Sequence, residues 1–364
     1  MNLSIKILSV FAIVFIFALD ETLQAAVPPL PEKDGSVTIA AQEWPFKPGP
    51  RTVKVYLHYP GGKLENVNSK TGLMLSLHNW GGTACAGTAN PNQLANRLNV
   101  VAICLDYLQS GRQASVEDPE PYDFGYLQGL DALRALHFVF DGLKSSARPF
   151  HSGRIFATGG SGGGNVTLMV NKLAPRTFTC SIDMCGMARL TDDVAFNLPG
   201  GSRLNARWSN DPKHAYYLSP DRQALHHIGN PAHLKVMHTL NPKRKLIVVH
   251  GSTDTTCPFE DATEMVANMK TAGMDVEPYF LTDKILDGKV FTNTGHGLGN
   301  RTLIVFKVAG KYLSPDSPDA LIRKTPTDFE LKDRKVRYPT KNGAYVISYE
   351  HGYPVGLFES RKSP

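Results

Sequence analysis

Three short stretches set chemically able side chains where they could be activated. The first, IFATGGSGGGNVTLMVNKL from Ile155 to Leu173, places Ser161 among five glycines. Ile155–Thr158 is strand-like, and Val166, Leu168, Met169 and Val170 continue as an apolar helix, so the serine sits at a strand–turn–helix junction. A G-x-S-x-G sequence at such a junction strains the serine backbone and exposes its oxygen at the strand's C-terminal end. Glycine is needed on both sides, because larger residues would collide with the flanking strand and helix. The first amides of the helix then face any negative charge that develops beside the hydroxyl. Two other uses of the glycines fail. A phosphate loop requires G-x-x-x-x-G-K-[ST] and the lysine is missing, and a dinucleotide fingerprint begun at Gly160 ends on Asn165 rather than glycine.

A serine hydroxyl is a weak nucleophile until a base takes its proton, and the base needs a carboxylate to orient it. The apolar run Leu246–Val249 leads into His250-Gly-Ser-Thr-Asp254, which puts Asp254 in the loop after a strand. After the next strand, Thr294-Gly-His296-Gly-Leu-Gly299 holds a histidine between glycines. Taken singly, Asp254 reads as a cap and His296 as a packed side chain. Taken together, in the order Ser, Asp, His, they predict a catalytic triad of one hydrolase architecture and not of the two other common ones. Acyl transfer also needs two amides for the oxyanion. Gly162 supplies one. The loop His78-Asn-Trp-Gly-Gly82, after a strand over Gly72–Leu77, supplies the other, from Trp80 or, failing that, Asn79.

The elements that must position these groups follow an alternating pattern of short apolar strands and helices, as in a layered α/β domain. Strands are expected at Ser36–Ala41, Thr52–Tyr59, Gly72–His78, Val100–Leu105, Arg154–Thr158, Phe178–Asp183, Lys245–His250 and Val276–Leu281. Helices are expected over Phe124–Phe140, from just after Ser161 to before Pro175, near Phe259–Thr271 and near Asn300–Tyr312. A long insert, residues 187–244, interrupts the alternation, and residues 314–364 read as a small β appendage with a hairpin at Asn342-Gly343.

LHNWGG, GGSGG, HGSTD and TGHG, in that order, resemble the α/β-hydrolase superfamily over roughly Arg51 to Tyr312. Within it, the chain is most similar to dienelactone-hydrolase-like and prolyl-oligopeptidase-like serine hydrolases. The resemblance implies a mostly parallel sheet flanked by helices, with Ser161 as nucleophile, His296 as general base and then acid, and Asp254 as its orienter. It implies no metal or organic cofactor. Asn79 and the unusually glycine-rich GGSGGG depart from the common pattern. The insert stands where such folds often carry a lid, and Trp208, Tyr216, Tyr217 and Leu218 could line a pocket there or simply pack. Tyr107, Tyr122 and Asp123 follow a strand end that would face the site and are candidate substrate contacts.

These residues predict an exported hydrolase that cleaves a carboxylic ester, small or polymer-derived, through an acyl-enzyme. Two alternatives are a small prolyl-oligopeptidase-like serine peptidase and a hydrolase-fold binding protein without catalysis. The ester reading rests on a leader too short for the propeller that peptidase relatives usually carry. An intact triad argues against the binding reading.

Bulk composition fits one large domain with additions. Of 364 residues, 42% are hydrophobic and 20% charged, and the formal net charge of +6 is spread rather than massed, so no nucleic-acid partner is expected. Lys6 followed by the uncharged run Ile7–Leu19 and small residues at Ala25 and Ala26 has the order of a cleaved signal peptide. Residues 1–25 are therefore expected to direct the chain to the periplasm or the exterior, with residues 26–313 as the hydrolase domain and no other membrane contact. The five cysteines leave at least one unpaired, with Cys104 and Cys180 in runs where buried thiols are common. No CxxC pair exists for zinc, and the histidines at 214, 226, 227, 233 and 238 follow no ligand spacing. The sequons at Asn165 and Asn300 read as chance.

Overall fold

The computed structural model describes residues 27–199 and 201–361; the expected signal peptide lies outside them. Short apolar runs become strands of one eight-stranded sheet: β1 Gly35–Ala41, β2 Arg51–His58, β3 Gly72–Leu77, β4 Val100–Asp106, β5 Ile155–Gly160, β6 Cys180–Met184, β7 Lys245–Gly251 and β8 Asp275–Leu281. Their order is β1-β2-β4-β3-β5-β6-β7-β8, with β2 antiparallel to both of its neighbours, β1 and β4, and every other pair parallel. This is an α/β-hydrolase fold. Every residue of β3, β5 and β6 is buried, because helices cover both faces of the sheet there.

The helices that flank the sheet include α1 Pro91–Leu98, α2 Tyr126–Ser145 and α3 Gly162–Leu173. The insert contributes α4 Asp192–Phe196, α5 Pro220–His226 and α6 Pro231–Leu240. Two more, α7 Phe259–Thr271 and α8 Arg301–Leu313, follow in the second half. Helix α1 was not anticipated, although Asn90 caps it by accepting from the Gln93 amide and Pro91 opens it. Its amphipathic stretch is only eight residues long, too short for its rhythm to stand out.

Register brings the C-terminal ends of the central strands level. Leu77 pairs with Gly159, Gly160 with Met184, and Met184 with Val249. The loops after β3, β5, β7 and β8 therefore emerge on one edge, and the four sequence motifs lie on those loops.

The tail forms its own antiparallel sheet, β9 Lys335–Pro339, β10 Gly343–His351 and β11 Tyr353–Ser360, with the hairpin at Asn342-Gly343 and a third strand beyond it. It is fastened to α3. The Tyr338 and Tyr349 hydroxyls donate to the carbonyls of Lys172 and Leu173, the last two residues of α3. Lys172, fully buried, carries the link onward by donating to Leu225 O (2.6 Å) and His227 O (2.9 Å) of the insert.

The insert packs through Trp208 and Leu218, both buried, rather than presenting them to a pocket; the Trp208 indole donates to Tyr122 O at 3.0 Å. Tyr216 is half-buried against Phe46. His226 and His233 are buried and bond the carbonyls of Phe124 and Pro339. Cys104 is bridged to Cys85, while Cys180, Cys185 and Cys257 are free and buried. Asn165 is buried and bonds Met187 O, and Asn300 caps α8, which accounts for both sequons. Among the described residues no helix is long and apolar enough to cross a membrane.

Candidate active site

Ser161 stands between β5 and α3 with φ 57° and ψ −123°, a backbone conformation that few side-chain-bearing residues accept. Two contacts hold it there. Its amide donates to Met184 O on the neighbouring strand (2.9 Å), and its carbonyl accepts the first helical bond, from Asn165 (3.0 Å). The glycines are required by close approach. A Cβ on Gly163 would lie 2.1 Å from Leu77 O, and one on Gly162 would lie 2.5 Å from the Trp80 nitrogen. The space that a side chain at 160 would fill is taken by the guanidinium of Arg301, which also donates to Gly87 O.

Asp254 is almost fully buried in the loop after β7. Its Oδ1 accepts the amides of Thr256 (2.9 Å) and Cys257 (3.1 Å), and its Oδ2 faces His296 Nδ1 at 2.8 Å. Burial alone would raise its pKa. The bonds from His250, His296 and the Cys257 amide outweigh it and hold the carboxyl well below the usual carboxylate range, so it is ionised at working pH.

His296 bridges to the serine, with Nε2 2.7 Å from Ser161 Oγ. An ionised carboxylate can only accept, so Nδ1 carries the proton and Nε2 is left as the acceptor for the serine hydroxyl. Its loop is stapled to the aspartate loop: the Thr253 amide donates to Thr294 O (2.9 Å), and the two threonine hydroxyls lie 2.9 Å apart. The Cys185 thiol donates to the His296 carbonyl. The His296 side chain keeps 26% of its surface exposed, so the insert does not seal the site.

Peptide geometry decides which amide of the loop after β3 faces the serine turn. The Asn79 carbonyl accepts from Gly82 N (2.9 Å) and from His78 Nδ1 (2.8 Å). In a trans peptide the N–H of the next residue points the opposite way, so the Trp80 amide is aimed out of the loop, beside Gly162. The Asn79 amide donates instead to Ala86 O at 3.4 Å, which favours Trp80 over Asn79 as the donor. Burial pushes the His78 imidazole down to about 4, so it is neutral; its Nδ1 donates to Asn79 O, and its Nε2 lies 2.7 Å from Ser110 Oγ.

Tyr107 and Tyr122 hold this loop and do not present an open contact surface. Both are 2% exposed. The Tyr107 ring stacks on His78 and its hydroxyl donates to His78 O; Tyr122 stacks on Trp80 with ring centroids 3.9 Å apart. Asp123 is fully buried and accepts the Gln128 amide near the start of α2. The strand-end placement was sound, but side chains there turn inward to support the loop.

Ser161, His296, Asp254 and the amides of Gly162 and Trp80 thus converge on one edge of the sheet, as acyl transfer requires. A family model described as the prolyl oligopeptidase family matches residues 139–312, the segment that holds Ser161, Asp254 and His296. The catalytic half of the chain is thus similar to the prolyl oligopeptidase family, on an α/β-hydrolase fold. No curated protein matches its sequence significantly. Among solved structures it is similar to an acylaminoacyl peptidase from Pyrococcus horikoshii, at 14% identity and TM-score 0.52, over 81% of this chain and 43% of that one. It is also similar to a puromycin-hydrolyzing peptidase from Mycobacterium tuberculosis, at 15% identity and TM-score 0.50, over 79% of this chain and 40% of that one. Likeness at such identities is one of fold, and this chain spans less than half the length of either peptidase.

Sequence reasoning passed over His78, Ser110 and Arg301 as parts of the site. His78 was seen only as a loop residue, and nothing in the spacing of Ser110 or Arg301 marks them.

The oxyanion geometry carries a direct prediction. In Gly162→Ala the new methyl presses on the Trp80 amide, and kcat is expected to fall by roughly 10²–10³-fold, the usual cost of losing one oxyanion donor. Steady-state kinetics beside a thermal melt would check it; an unchanged kcat would mean that Trp80 is not the donor.

Proposed function

We propose that this protein is a serine hydrolase that cleaves an amide or peptide bond through an acyl-enzyme. The observation that carries the reading is the continuous line Asp254 Oδ2–His296 Nδ1 and His296 Nε2–Ser161 Oγ, at 2.8 and 2.7 Å, beside the paired amides. Ser161 attacks the carbonyl as His296 takes its proton. The Gly162 and Trp80 amides hold the oxyanion, and ionised Asp254 stabilises the imidazolium. The imidazolium then protonates the leaving nitrogen, the step that an amide needs and an ester can largely do without.

The sequence pattern favoured an ester. The prolyl oligopeptidase model over the catalytic segment and the peptidases among the structural neighbours support an amide instead. Export from the cytoplasm remains part of the proposal, on the basis of residues 1–25 and with support from the Cys85–Cys104 bridge, which persists in an oxidising compartment.

The test uses matched pairs of substrates that share one acyl group, an aminoacyl or dipeptidyl p-nitroanilide against the corresponding p-nitrophenyl ester. Turnover of both, lost in Ser161→Ala, is the expected result. Hydrolysis of esters alone across the panel would return the reading to a carboxylic-ester hydrolase.

A further inference from the structure

Beneath the triad lie two buried ionisable side chains that the acyl-transfer mechanism leaves unused, Asp183 on β6 and His250 on β7, both with 0% exposure. Asp183 pairs in register with Val248, so His250, two residues on, shares its face of the sheet and is its diagonal neighbour. Each has a buried atom without a hydrogen-bond partner, Asp183 Oδ2 and His250 Nδ1.

The other edge of the His250 ring looks at the triad. Its Nε2 lies 2.8 Å from Cys257 O and 3.4 Å from Asp254 Oδ2. Both are acceptors, so Nε2 carries a proton. Cys257 also gives its amide to Asp254 Oδ1. His250 therefore anchors to the strand the short loop that wraps Asp254, and it points an N–H at the oxygen that orients His296.

We propose that His250 is a positioning residue of the hydrolase, fixing Asp254 through the Cys257 loop and through its own Nε2–H. The triad is then the solvent-facing end of a four-residue chain, His250–Asp254–His296–Ser161. The inference rests on the triad reading above. The charges agree with it: burial works against a proton on His250, but the Asp254 contact and the Asp183 charge outweigh it and raise its pKa. Burial raises Asp183 to about 6, against the pull of His250.

The test compares the full chain with His250→Phe, which keeps a ring but no N–H, and His250→Gln, whose side-chain amide can replace Nε2–H. His250→Phe is expected to lower kcat on the anilide roughly 100-fold with KM nearly unchanged, and His250→Gln to recover roughly ten-fold of that loss. Proton and nitrogen NMR of histidine-labelled protein gives a readout independent of turnover. In wild type His250 shows Nε2–H, and His296 a single Nδ1–H tautomer that becomes mixed in His250→Phe. A phenylalanine variant with unchanged kcat and His296 tautomer, or a folded glutamine variant as slow as the phenylalanine one, would overturn the proposal. If His250→Phe does not fold, wild-type spectra decide: Nδ1–H without Nε2–H on His250 contradicts it. A wild type that turns over nothing would count against the hydrolase reading, while the NMR arm would still decide on His250.

Discussion

Ser161→Ala is expected to reduce turnover by roughly 10⁵–10⁶-fold, to the level that the oxyanion amides and binding alone can sustain. The size of the effect follows from the route. Without Oγ no acyl-enzyme forms, and His296 has no hydroxyl to deprotonate. The fold should tolerate the change. Ser161 is tied to the sheet by its amide and carbonyl, on Met184 O and Asn165 N, and alanine keeps both bonds. A thermal melt beside single-turnover kinetics would separate the two: activity lost with the melting temperature unchanged. Loss of only a few-fold would remove Ser161 from the chemistry.

Asp254→Asn comes next, with an expected loss in kcat of roughly 10⁴-fold for an isosteric change. Two amides, Thr256 and Cys257, donate to Oδ1, so an asparagine at 254 keeps its carbonyl oxygen on that side. Its NH₂ then faces His296 Nδ1, where Oδ2 had been. A donor there forces Nδ1 to accept and moves the ring proton to Nε2, which can no longer take the proton of Ser161. The same NH₂ also confronts the Nε2–H of His250 at the place of a 3.4 Å attraction, so a modest fall in melting temperature should accompany the kinetic loss. Retained activity would mean that Asp254 does not set the tautomer.

How much of this was legible beforehand depended on whether a feature is local. The glycine-flanked Ser161 is legible because one turn must satisfy several steric demands at once, and each demand removes a side chain from the sequence. Asp254 and His296 are legible because apolar strands announce the loops that follow them. The eight strands were found for the same reason, with ends within a residue or two. Features that depend on two distant segments were not legible. The Cys85–Cys104 bridge joins the oxyanion loop to β4, and nothing in the spacing of five cysteines selects that pair. Tyr107 and Tyr122 were placed at the right strand end, but which way a side chain turns is decided by the His78 and Trp80 rings it stacks on. His250 lies inside the HGSTD stretch, where nothing local marks it. Its role depends on the loop after β7 folding back to bring Cys257 O and Asp254 against its ring.

The most direct test of the central claim is intact-mass analysis of the purified protein after reaction with a fluorophosphonate probe, run beside Ser161→Ala and Asp254→Asn. The account predicts a single adduct on the wild type, none on Ser161→Ala, and formation slowed by orders of magnitude on Asp254→Asn. Well-folded wild type that takes up no probe, or an adduct that persists in Ser161→Ala, would contradict an activated serine at the β5–α3 turn.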